Sequence, residues 1–141
     1  NSRARLRMTT LYQIAQVYGG IVVGTGNKVE DFGVGFYTKY GDGGVDISPI
    51  ADLTKTEVRE MARELGVSEE ILLAPPTDGL WDDGRTDEDQ IGATYEELEW
   101  CMAFDGDLDD LTERQREVME IYNRFHAQNK HKMIPIPIYT K

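Results

Sequence analysis

Between Gly24 and Asp46 the chain reads GTGNKVEDFGVGFYTKYGDGGVD, with seven glycines and no long apolar run. It follows a short apolar run, Ile21–Val23. A polar, irregular segment of this length inside a compact domain is either functional or disordered. The rest of the chain is ordered enough to favour function: a flexible loop whose glycines let the main chain come close to a ligand.

The elements on either side are readable. Residues 3–18 form a helix in which Met8, Leu11, Ala15 and Tyr18 share one face, and Gly19 and Gly20 end it. The run IVVGT that follows is β-branched and suits a buried parallel strand. The next helix has Thr54 and Glu57 as a capping box, Leu53 and Val58 as a hydrophobic staple, and Gly66 as its stop. Val58, Met61, Ala62 and Leu65 are its expected buried stripe. A short helix runs from Ser68 to about Leu72, and residues 75–92 read as a second long polar loop. Thr94 with Glu97, and Thr112 with Gln115, box the last two helices, the latter lined by Val118, Ile121, Tyr122 and Phe125. The ending NKHKMIPIPIYTK reads as an extended tail, because Pro135 and Pro137 bar a helix. One clear strand makes no sheet. Either weak strands such as VDISPI complete it, or partner strands lie in a preceding part of the natural protein, an expectation that the missing initiator Met reinforces.

Composition narrows the partners. The chain has 141 residues and a net charge of -11, which disfavours a nucleic acid held by bulk electrostatics. A small anionic ligand needs only a few local cations. One cysteine, Cys101, makes no internal disulfide and favours a reducing, cytoplasmic setting. Two histidines and one cysteine build no tetrahedral zinc site, and no stretch approaches a membrane span.

Several groups could carry chemistry. Gly24, Thr25 and Glu30 stand just after the strand, where ligands of open parallel sheets bind. The glycine N–H groups and the threonine hydroxyl suit a nucleotide, and Glu30 could give Mg²⁺ a hard oxygen. The plain alternative is a turn with a solvated glutamate. Lys39 and Asp46, among Phe36, Tyr37 and Tyr40, suit a polar ligand with ring and sugar portions, against a bare hairpin tip. Lys55 sits at the first position of a well-capped helix, where the macrodipole costs a cation about 0.3–1 kcal/mol. Gripping an anion there would explain it, against an ordinary exposed lysine. Arg3, Arg5 and Arg7 on the first helix, and His131 with Lys130 and Lys132 near the end, are further cationic spots whose bland readings are ion pairs and a solvated tail. Thr77 follows two prolines, so its backbone is fixed; Asp87, Glu88 and Asp89 read as solvated loop charges.

In order along the chain, RARLRM…LY, VVGTGNKVE…GFYTKYGDGGVDISPIADLTKTEVRE, PPTDGLWDDGRTDEDQIGATYEELE and NKHKM resemble the C-terminal portion of ammonia-dependent NAD synthetases, or the synthetase domain of glutamine-dependent ones. The resemblance spans nearly all of residues 1–141. It implies an α/β fold, the Rossmann-like adenine nucleotide alpha hydrolase-like fold of N-type ATP pyrophosphatases, here as an incomplete, helix-rich C-terminal part. It implies amidation of deamido-NAD through an adenylated intermediate, with ammonia as nitrogen donor and Mg²⁺ accompanying ATP. By motif, Thr25, Lys55 and Thr77 would contact ATP, and Glu30 the metal. Arg5, Lys39, Asp46, His131 and Lys132 would contact deamido-NAD. The resemblance also implies a homodimer with the first helix at the interface, and a mobile segment from Trp81 to Gln90 that orders over the substrates.

The family's Ser-Gly-Gly-x-Asp-Ser pyrophosphate loop is absent from these residues and is expected upstream of Asn1, so the chain alone is expected to hold half a site and to make no NAD. A non-catalytic nucleotide-binding or dimerisation module, and another amidating ATP pyrophosphatase, are the competing readings. The KYGDGGVD and HK features weigh against the last.

Overall fold

The glycine-rich segment lies at the centre of the computed structural model, which describes residues 1–77, 79 and 83–141. Helix α1 (Ser2–Tyr18) is followed by a π-helical turn (Val29–Val34), then α2 (Lys55–Glu64), α3 (Glu69–Leu72), α4 (Asp87–Ile91), α5 (Tyr95–Ala103), a single 3₁₀ turn (Leu108–Asp110) and α6 (Glu113–Met133). The π-helical turn packs between α5 and α6.

Sequence reading made this segment a flexible polar loop, and the structure corrects that. Val29 and Val34 are fully buried and join Ile91, Ala93, Tyr95, Leu98, Cys101 and Val118 in one apolar core, flanked by Phe36, Met102, Ile121, Tyr122 and Phe125. Each fully buried Val, Leu or Ile side chain among them contributes about 1.5–3 kcal/mol by leaving water. The turn is set at its start by Asn27, buried, whose Oδ1 accepts the N–H groups of Val29 (2.9 Å) and Glu30 (3.1 Å). Glu30 Oε2 accepts the Asn27 N–H in return at 3.1 Å. This is the reciprocal pattern of a capping box, written Asn-x-x-Glu instead of Ser/Thr-x-x-Glu.

The turn's C-terminal carbonyls are taken up by one face of α6. His126 Nδ1 is 2.7 Å from the Gly33 oxygen, and Asn129 Nδ2 donates to Val34 O at 2.9 Å. Lys132 Nζ donates to Gly35 O (2.8 Å) and Tyr37 O (2.7 Å). Gly35 is left-handed (φ 63°), and a Cβ there would stand 2.5 Å from Asn129 Cβ. Gly41 likewise lets α1 approach: a Cβ would lie 2.9 Å from that of Ala4.

Four helices start on reciprocal caps: Thr54–Glu57, Thr86–Asp89, Thr94–Glu97 and Thr112–Gln115. Three were legible; the Asp at the third position of the other hid it. The second polar loop therefore ends at Thr86, and α4 plants Ile91 in the core. Trp81 and Asp78, part of that loop, lie outside the described residues.

Three further expectations change. The IVVGT run makes a single parallel bridge, Val23 to Ile47, with Gly24 N–H donating to Ile47 O at 2.7 Å. Val22 and Gly24 are buried; Ile21 and Val23 are more than half exposed, because the run is paired on one side alone, by residues 46–47, among the described residues. The VDISPI segment is its partner. Secondly, no residue of α2 is buried, and Met61 and Leu65 face out. On α1, Ala4, Met8, Tyr12 and Ala15 form the inner face, while Leu11 and Tyr18 are exposed. Thirdly, α6 continues through Met133, so His131 and Lys132 are helical. The break comes at Ile134 (φ −104°, ψ 157°), the residue that Pro135 forces out of helical geometry.

Asp31 sits in the turn and forms no ion pair among the described residues. Burial, then repulsion from Glu30 and Asp42, pushes its carboxyl up from 3.8 to about 6. The folded state thus holds this proton more tightly than the unfolded chain. That contribution to stability is complete below about pH 4 and is lost as pH rises through about 6. Asp31→Asn is expected to raise the melting temperature by an amount that grows between pH 4 and pH 6.5; a pH-independent difference would contradict the assignment. Gly35→Ala is expected to cost about 2 kcal/mol or more in denaturant unfolding, from left-handed strain and overpacking against Asn129.

Candidate functional site

The inner face of α1, residues 22–25, the 41–45 loop, the start of α2 and residues 76–77 enclose a cavity of about 480 Å³. Thr25, Glu30, Lys55 and Thr77 all line it. Each is delivered by a different local device. Thr25 follows the parallel bridge, and Glu30 is the second residue of the capped π-helical turn. Lys55 opens α2 directly after its Thr54 cap, and Thr77 follows Pro75 and Pro76.

Glu30 is the hub. Its Oε1 accepts the Tyr95 hydroxyl at 2.5 Å and the Lys55 ammonium at 3.4 Å, while Oε2 takes the Asn27 N–H. The Lys55–Glu30 pair is largely withdrawn from water, at 24% and 16% side-chain exposure, where charges interact more strongly than at the surface. Lys55 Nζ also stands 4.9 Å from the centre of the Tyr95 ring. This company explains a lysine at the positive end of a helix: Glu30 and the aromatic face offset the dipole. Asp87, a buried carboxylate, lines the same cavity, with Oδ2 3.3 Å from the Tyr95 hydroxyl. Burial, then the charges of Glu30 and Asp87, pushes the Tyr95 hydroxyl's pKa up, so it stays a donor.

The residues expected on the dinucleotide side fall into two places. Arg5, Lys39, His131 and Lys132 meet around the 35–41 loop. Arg5 Nε donates to Lys39 O (3.2 Å), and Lys39 Nζ donates to His131 O (2.6 Å) at the end of α6. Lys132 spends two of its three protons on loop carbonyls and lies 5.3 Å from the Tyr37 ring centre; burial lowers its pKa. Asp46 stands apart, accepting from the Val22 N–H (2.7 Å) and the Tyr12 hydroxyl (3.2 Å). Of the aromatics, Phe36 packs on the core, Tyr37 faces Lys132 and Tyr40 is exposed.

Sequence reasoning misread Asp87, passed over Tyr95 beside the cavity, and gave Arg7 only a generic cationic role. Asp87, read as a solvated loop charge, is buried; the Thr-x-x-Asp box around it was the available signal. Arg7 lines the cavity and donates to Gly79 O at 3.3 Å. Tyr95, one residue past a recognised cap, was not singled out.

The donor set fits Mg²⁺. A carboxylate offers about four lone-pair sites, of which Glu30 uses three, and Asp87 adds a second hard carboxylate. Among the described residues no cluster of three or more such ligands occurs. Mg²⁺ is commonly held this way, by one or two carboxylates together with substrate phosphates.

A family profile described as NAD synthase matches residues 1–135. An NH3-dependent NAD(+) synthetase of Methanococcoides burtonii is 58% identical over 99 residues, covering 70% of this chain and 37% of that protein. Another, of Alkaliphilus metalliredigens, is 45% identical over 138 residues, 98% of this chain and 52% of that protein. Among solved structures, the NMN synthetase of Francisella tularensis superposes with a TM-score of 0.86 at 36% identity, covering 99% of this chain and 55% of that one. The NH3-dependent NAD synthetase of Campylobacter jejuni gives 0.71 at 25% identity, covering 97% and 52%. The chain thus spans about half the length of relatives it matches end to end. The cavity, its motifs and these likenesses place the chain in the NAD synthase family, as a helix-rich part of the adenine nucleotide alpha hydrolase-like fold.

Proposed function

We propose that residues 1–141 are the C-terminal portion of an ammonia-dependent NAD synthetase domain, which amidates deamido-NAD to NAD using ATP. The observation that carries this reading is the single cavity into which Thr25, Glu30, Lys55 and Thr77 converge from four separate segments.

ATP is assigned to that cavity. Lys55, Thr25 and Thr77 line it, and an ammonium and two hydroxyls there can bind phosphate oxygens. Glu30, with Asp87 beside it, would hold Mg²⁺, which supplies charge neutralisation on the phosphates when bound. The nicotinate carboxylate of deamido-NAD attacks the α-phosphorus; the acyl-adenylate forms and pyrophosphate leaves. Ammonia then attacks the activated carbonyl, and the bond to AMP breaks. What these residues contribute is position and electrostatics.

Deamido-NAD is assigned to the side built by Arg5, Lys39, His131 and Lys132, with Asp46 at the other edge of the loop. Lys39 and Lys132 keep donors in hand, since an ammonium has three and they use one and two. Leu6, Ile14 and Val17 on the outer face of α1 are exposed, which supports a homodimer built on that helix. No helix among the described residues is long and apolar enough to cross a membrane, and we assign the protein to the cytoplasm.

The direct test is to assay the full-length protein for deamido-NAD amidation with ammonium and with glutamine. ATP-dependent NAD formation with ammonium is expected; its absence would overturn the reading. In that protein, Lys39→Ala should raise the apparent KM for deamido-NAD about tenfold, or about 1.4 kcal/mol, and that for ATP far less. Equal effects would remove Lys39 from the dinucleotide side. Glu30→Gln should raise the Mg²⁺ concentration for half-maximal rate by about tenfold or more, and an unchanged metal titration would remove Glu30 as a ligand.

A further inference from the structure

Tyr95 carries more interactions with the cavity than a core tyrosine needs. It is fully buried and opens α5, whose start is fixed twice: by the Thr94–Glu97 cap and by the Tyr95 N–H donating to Glu88 Oε1 at 3.0 Å. The ring is therefore rigid. Its hydroxyl stands between two carboxylates, 2.5 Å from Glu30 and 3.3 Å from Asp87, and its face lies under Lys55. A phenol has one proton to give. The shorter contact assigns that proton to Glu30, fixing which Glu30 oxygen is occupied. The ring also holds the Lys55 ammonium against Glu30 while no anion is present. The role depends on geometry that a phenylalanine would copy except for a single oxygen.

On the functional reading above, we infer that Tyr95 is a positioning residue: it holds Glu30 and Lys55 in the orientation that receives a metal-bound triphosphate. It acts through those two side chains and touches neither substrate. Buried polar groups behind metal ligands act in this way, and removing one typically costs 10–100-fold in metal affinity or activity.

The test uses the full-length protein and Tyr95→Phe, alone and combined with Glu30→Gln. Calorimetric Mg²⁺·ATP binding is measured beside amidation kinetics and a melting curve. In Y95F the dissociation constant for Mg²⁺·ATP is expected to rise about tenfold, while the KM for deamido-NAD is unchanged. Because Tyr95→Phe keeps the ring beside Lys55 and removes the hydroxyl that holds Glu30, the double variant should bind Mg²⁺·ATP no more weakly than E30Q alone. Unchanged Mg²⁺·ATP affinity in Y95F overturns the inference, as do losses that add in the double variant. A Y95F protein that no longer folds assigns Tyr95 to the core and overturns it too. An unsubstituted protein that binds no Mg²⁺·ATP removes the functional reading and this inference together; one that binds it while Y95F binds as tightly removes the inference alone.

Discussion

The structure depends on one act of docking: the main-chain oxygens of Gly33, Val34, Gly35 and Tyr37 against His126, Asn129 and Lys132 on α6. A π-helical turn leaves carbonyls unsatisfied at its end, and burying them unpaired would cost about 1–3 kcal/mol each. Three side chains spaced three apart on one face of α6 meet two of them, on Gly33 and Val34, together with the Gly35 and Tyr37 oxygens that follow. That arrangement requires glycine at position 35, brings Val29 and Val34 into the core, and fixes the direction in which Glu30 leaves the turn.

From that anchor the electrostatics of the cavity follow. Glu30 is held by Asn27 below and Tyr95 beside it, so Lys55 finds a carboxylate at a fixed place. A lysine that local helix rules disfavour becomes acceptable through this tertiary pairing. The acidic neighbours Asp31, Asp42 and Asp87 would repel phosphate. The cavity counters them with cations from separate elements, Arg7 on α1 and Lys55 on α2. A chain of net charge -11 can thus present a locally anion-compatible site.

The legible parts of the sequence were those with local chemistry. Three capping boxes, the Gly19 and Gly66 stops and the short α3 are read from a few adjacent residues each. The convergence of Thr25, Glu30, Lys55 and Thr77 came through motif resemblance, not from spacing. What was hidden is non-local. Glycines made residues 24–46 look like loop, yet Val29 and Val34 are core because α5 and α6, some 65 to 95 residues later, cover them. The Asn27–Glu30 cap was written in an unexpected letter. The single-bridge state of IVVGT depends on which strands flank it, and nothing in the run itself encodes that. His131 and Lys132 looked like a tail because Pro135 was given too long a reach: a proline constrains the residue before it, and here α6 stops at Met133.

The central claim is that one glycine-bearing scaffold presents two adjoining surfaces to two phosphate-bearing compounds. Hydrogen exchange of the full-length protein, alone and with each compound, reads this most directly. Mg²⁺·ATP is expected to slow exchange at residues 24–30, 55–58 and 77, and deamido-NAD at residues 36–40 and 130–133. Protection by both compounds at the same peptides, or none at residues 24–30 and 55–58 with Mg²⁺·ATP, would contradict the account.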